Sequence, residues 1–226
     1  MANSKSPQQL NAQDLVLCSG TVMGASFEQL IAAATAGNFD AISLFPAQYQ
    51  QARAAGLSDA ALRAMLTDNG LCIAELDPLL NWVPGHHFPS DAGMGLVAED
   101  EFYRIADALG ARSLNVVWAL PQRVPEELLV EAFAALCDRA ARHDLLAHIE
   151  FLPWAQIDNI HTALRIVAQA NRANGGIMFD SWHHFRGGVD NAELLKIPGA
   201  NIVAVQLNDA PCQAEDNIVE ETMARR

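Results

Sequence analysis

Three runs, LLAHIEF (145–151), GIMFD (176–180) and IVAVQL (202–207), decide how this chain reads. Each is a short apolar stretch that reads as a strand and ends in an abrupt carboxylate or amide: Glu150, Asp180 and Gln206. Helical stretches separate them, over 159–171 and 191–196. Strands alternating with helices in this way demand a parallel sheet with helical crossovers. Glu150 and Asp180 stand 30 residues apart, and Asp180 and Gln206 stand 26 apart. One βα unit of an eight-unit barrel is about 30 residues, since eight fill about 250. The three polar groups therefore fall at one depth on three successive strands.

Upstream the rhythm continues. Strands are predicted over 15–19, 39–45, 71–76 and 112–120. Ser26 is an N-cap signal for a helix over 27–36, which Gly37 ends; Ser58 caps a helix to Asp68, followed by Gly70. Further helices are predicted over 98–109 and over 125–142, with Pro125 in the favoured first turn. A loop over 77–97 carries Pro78, Pro84, Gly85, Pro89, Gly93 and Gly95. Its length marks a lid or a binding loop.

The units follow with no break in composition, so 1–226 reads as one domain. An open doubly wound sheet for dinucleotides needs a GxGxxG turn after its first strand. Ser19, Gly20, Thr21, Val22, Met23 and Gly24 stand there instead. The expected fold is an α/β (β/α)8 TIM barrel with seven βα units present and the eighth missing from this chain.

Hydrophobic residues make up 51% of the 226 and charged residues 18%, enough to bury a full core. A net charge of −13 repels phosphate backbones, so nucleic acid is excluded as a partner. The segment Met1–Gln13 has no apolar core of a signal peptide, and no run approaches the roughly 18 apolar residues of a membrane span. Cys18, Cys72, Cys137 and Cys212 show no CxxC spacing and read as reduced, mostly buried thiols of a cytoplasmic protein.

Barrel enzymes carry their chemistry at the C-terminal ends of the strands. Two carboxylate oxygens and an amide oxygen from Glu150, Asp180 and Gln206 suit Mn²⁺ or Mg²⁺ and tolerate Zn²⁺ or Co²⁺. A carboxylate at a strand end also commonly caps the next helix, and Asp209 fits that simpler role best. The four tryptophans, Trp82, Trp118, Trp154 and Trp182, fall at strand ends or just beyond. They suggest a pocket that stacks on a ring, with Trp82, Trp118 and Trp154 as substrate-binding candidates. Glu75 ends the third strand and either faces the pocket or caps the loop. Arg123 and Arg186 are the main cations on those loops, too few for a phosphate clamp. Arg186 is taken as a further substrate contact. His86 and His87 would belong to a lid, and His143 and His161 receive no role.

The stretches AHIEFLP (147–153), FDSWH (179–183) and VQLNDA (205–210) resemble the xylose-isomerase-like TIM-barrel superfamily. That group is often labelled sugar phosphate isomerase/epimerase and includes inosose and dehydroshikimate dehydratases. The resemblance runs from Leu15 to the end. It implies that Glu150, Asp180 and Gln206 match three of four metal ligands, the fourth being a Glu on a last strand that this chain lacks. It implies also that His183 contacts a substrate oxygen near the metal. Ketose 3-epimerases of the group carry His, Arg and Glu where this chain has Gln206, Cys212 and Gln156. The Gln ligand resembles the dehydratase-like branch, which disfavours ketose epimerisation.

The expected chemistry is proton abstraction beside a carbonyl, with the metal stabilising the enediolate and Glu150 moving the proton. Reprotonation gives an isomerase or epimerase of a sugar or related polyhydroxy ketone, the first expectation. Loss of a β-hydroxyl gives a dehydratase of an inosose or dehydroshikimate type, the second. A non-catalytic barrel is the third. An endonuclease for abasic DNA would need a basic face and more His ligands. The expected partners are a small-molecule substrate and, as in many such barrels, a second copy in a homodimer.

Overall fold

The computed structural model describes residues 6–89 and 96–224. Seven strands form one sheet in chain order: β1 Val16–Leu17, β2 Ala41–Leu44, β3 Cys72–Leu79, β4 Ala111–Val117, β5 Leu146–Glu150, β6 Gly175–Asp180 and β7 Ile202–Gln206. The pairs β1–β2, β2–β3, β5–β6 and β6–β7 are parallel. Nine α-helices lie among the described residues: α1 Phe27–Ala36, α2 Pro46–Ala54, α3 Asp59–Asp68, α4 Glu99–Leu109, α5 Glu126–Ala140, α6 Ile160–Ala170, α7 Ser181–Arg186, α8 Asn191–Leu194 and α9 Ile218–Ala224. This is the α/β alternation expected of a TIM barrel. No helix is long and apolar enough to cross a membrane among the described residues.

The chain divides into two compact units. The first comprises 1–79, 89–114 and 140–145. Here β2 is buried along its whole length, as a strand covered on both faces must be. Ser26 and Ser58 accept from the amides of Gln29 and Ala61 and so start α1 and α3 as predicted. The Cys18 thiol sits beside Ser43; its burial, then the Asp77 and Glu75 carboxylates, push it up to about 12.

The second unit comprises 80–88, 115–139 and 146–226. Ile160, Ala163, Ile166, Val167 and Ala170 make the buried stripe of α6, at the spacing of one helical face. Burying each large aliphatic side chain contributes about 1.5–3 kcal/mol. Strands β6 and β7 pack closely: a Cβ on Gly176 would meet Val203 Cγ2 at 2.4 Å and the Asn201 carbonyl oxygen at 2.9 Å.

Several boundaries differ from the sequence expectation. Helix α2 occupies a stretch read as a connection; its sequence PAQYQQARA has little apolar periodicity to reveal it. Strand β3 runs on to Leu79 through a cis Asp77–Pro78 bond, where the loop was expected to begin. Strand β1 has two residues, because Ser19 already begins a 3-10 turn. Gly93 and Gly95 of the expected lid loop lie outside the described residues. None of the four cysteines is in a disulfide; Cys72 and Cys137 are buried, Cys18 half-buried and Cys212 exposed.

Candidate metal centre

The register of the second unit brings the strand-end groups to one face. Glu150 of β5 pairs with Met178 of β6, and Met178 lies two residues before Asp180. Asp180 pairs directly with Gln206 of β7. Side chains two apart on a strand share a face, and neighbouring pleats run in phase. Glu150, Asp180 and Gln206 therefore face the same way.

Helix α7 begins immediately after Asp180, whose Oδ1 accepts from the His183 amide at 2.9 Å. Asp180 is thus the N-cap of α7, with the preferred residue type for the role. This turn carries the His183 ring back, and its Nε2 lies 3.2 Å from Glu150 Oε1. One ligand atom each from Glu150, Asp180 and His183 lies within 4.8 Å of the others. All three residues are buried, Asp180 completely.

Two amides hold the carboxylates. Asn115 of β4 donates from Nδ2 to Glu150 Oε2 at 2.6 Å, and Asn208 donates from Nδ2 to Asp180 Oδ2 at 2.6 Å. Asn208 is itself fixed, its amide donating to Ser181 Oγ at 2.9 Å. Two carboxylates buried this close are costly unless a cation is shared between them. The group fits a divalent metal on that ground, and one imidazole nitrogen with two carboxylate oxygens is a donor set that Zn²⁺, Mn²⁺ and Co²⁺ accept.

Around the group, Trp154 and Trp182 stand edge-on to the His183 ring, with centroids at 5.5 and 5.2 Å. Gln206 is half-buried opposite Asp180. Trp118 is fully buried, and its indole N–H has no hydrogen-bond partner among the described residues. The His86 ring lies 5.7 Å from it. Trp82 packs in the core against Trp118 and Phe133 and donates Nε1 to the Val117 carbonyl at 2.9 Å. Arg186 is buried in an ion pair with Glu221 at 2.5 Å and donates to the Pro211 carbonyl at 2.8 Å. Glu75 is a buried residue of β3 in the first unit. Asp209 accepts from the adjacent Ala210 amide at 2.8 Å and does not cap a helix as expected, since the next helix among the described residues is α9.

Sequence reasoning missed Asn115 and Asn208. Asn115 offered a signal, a lone amide inside the apolar run 114–118, while Asn208 was quoted within a motif without a role. His148 was also passed over. It is fully buried two residues before Glu150, hence on the same face.

Comparison with known proteins bears on the fold and family. A stretch of 90 residues is 34% identical to the 3-dehydroshikimate dehydratase of Pseudomonas aeruginosa, covering 39% of this chain and 14% of that protein. A fusion protein of a xylose isomerase-like TIM barrel with a 4-hydroxyphenylpyruvate dioxygenase superposes with a TM-score of 0.75 at 22% identity. The alignment covers 91% of this chain and 32% of the fusion. The IOLI protein, solved with a bound zinc atom, gives a TM-score of 0.75 at 17% identity over 88% of this chain and 74% of that one. Sugar epimerases are also among the structural neighbours. At these identities the solved structures establish the TIM-barrel fold. Residues 30–223 match the sequence model of a family described as xylose isomerase-like TIM barrel, and with that match over most of its length the chain belongs to this family.

Proposed function

We propose that the chain is a divalent-metal-dependent enzyme that removes a proton beside the carbonyl of an unphosphorylated polyhydroxy ketone and returns it, as an isomerase or epimerase. The observation that carries this reading is the convergence of Glu150, Asp180 and His183 within 4.8 Å in a buried setting. With Gln206 facing the same way, these residues would hold the ion. A bound divalent cation supplies Lewis-acid polarisation of substrate oxygens. Glu150 is the proton-moving group: Asn115 fixes its Oε2, and His183 stands against its Oε1. Trp154 walls the space beside His183. Arg186 is already committed to Glu221, which supports a substrate without phosphate.

A second reading, dehydration of a cyclic hydroxy-ketone, is favoured by the dehydratase match and by Gln206. It begins with the same proton abstraction and departs only when a β-hydroxyl leaves.

Calorimetry with Mn²⁺ and Zn²⁺ tests the metal reading. The expected result is one ion per chain, with binding weakened at least about 100-fold in Asp180→Ala; equal binding by the variant refutes it. Solvent deuterium then separates the outcomes. Label retained in an isomeric ketose supports the first reading, and an unsaturated product supports the second.

A further inference from the structure

We infer that Glu221, on α9, is a positioning residue for the metal centre, holding α7 so that His183 meets Glu150; this rests on the metal-binding reading above. Helix α7 has six residues, too few to be stable by itself. Its first turn is held by Asp180. Its far end is held by Glu221. Glu221 Oε1 accepts from Arg186 Nε at 2.8 Å, from Arg186 Nη2 at 2.5 Å and from Trp182 Nε1 at 3.3 Å. Trp182 and Arg186 are four apart and so lie on one face of the helix, and the guanidinium covers the Trp182 ring at 5.7 Å. One carboxylate thereby grips the face of α7 adjoining His183, whose ring packs on Trp182.

The grip is itself anchored. Glu221 Oε2 accepts from the Glu215 amide at 2.8 Å, and Asn217 Oδ1 accepts from the Val219 and Glu220 amides to start α9. Arg186 also donates to Pro211 in the segment after β7, the strand that carries Gln206. The side chains of Arg186 and Glu221 are 5% and 0% exposed. A charge pair so enclosed holds its geometry more firmly than a surface pair. Burial alone would raise the Glu221 carboxyl, but the Glu215 amide and the Arg186 guanidinium outweigh it and hold the group below the usual carboxylate range.

The test uses Co²⁺, whose visible absorption reports ligand geometry, on the full chain. Glu221→Gln is expected to weaken Co²⁺ binding about 10–100-fold, as loss of a ligand-orienting partner does, and to alter the absorption envelope. Glu221→Gln with Arg186→Met removes both charges. It is expected to recover the melting temperature that the single variant loses, because no charge is left buried alone, while affinity and spectrum stay impaired. Wild-type affinity and spectrum in either variant overturn the positioning role and leave the metal site standing. No binding by the wild-type protein overturns the metal reading and this inference together.

Discussion

Asp180 spends its two oxygens on different tasks. Oδ1 starts α7 by accepting from the His183 amide, and Oδ2 is held by Asn208. Asparagine caps helices about as well as aspartate. Asp180→Asn should therefore keep the cap but set its amide N–H against the Asn208 donor, costing about 1–3 kcal/mol, as a buried group left unpaired does. Removing one ligand charge should still weaken Mn²⁺ binding at least about tenfold. Denaturant titration and calorimetry on the same variant check the two halves. At this scale the sequence was informative wherever a polar residue interrupts an apolar run, as at Glu150 and Asp180. It was silent on pairing: the Asn115 to Glu150 bond joins residues 35 apart, and nothing local predicts that an amide and a carboxylate will meet.

Elements divide by length. Helices α1, α3, α4 and α6 span at least ten residues and were legible as ranges, α1 and α3 with their serine caps as well. Helix α7 has no room for a period, yet it decides where His183 goes. Its C-terminal end depends on Gly187, where a Cβ would meet the backbone carbonyl oxygens of His183 at 2.9 Å and Asp158 at 3.1 Å. Neither atom can rotate away. Gly187→Ala should destabilise the protein by about 1–3 kcal/mol, the usual cost of overpacking, read from denaturant midpoints. Gly199→Ala, with nothing within 4 Å of the new carbon, should stay within about 0.5 kcal/mol.

The whole molecule was legible as alternation: seven strands in chain order need only the rhythm of apolar runs and helices. The two compact units were not, because the chain passes between them several times, once within β4, and no change of composition marks a crossing. All four tryptophans lie in the second unit, so indole fluorescence follows that unit alone. Free Mn²⁺ at 100 times its dissociation constant stabilises a binding site by about 2.7 kcal/mol. For a chain of 226 residues that is a rise of about 5–10 °C in the fluorescence melting temperature. A chelator should reverse the rise, and Asp180→Ala should show none.

The bond from the His183 amide to Asp180 has one more implication. The helix start that aims the imidazole is closed between the His183 amide and the Asp180 carboxylate, so the donors would stand ready before an ion bound. A hydrated cation entering the group must surrender water, but it asks no folding step of the chain. On the proposed metal reading, the choice of ion would depend on supply and on the ease with which each ion sheds its hydration shell.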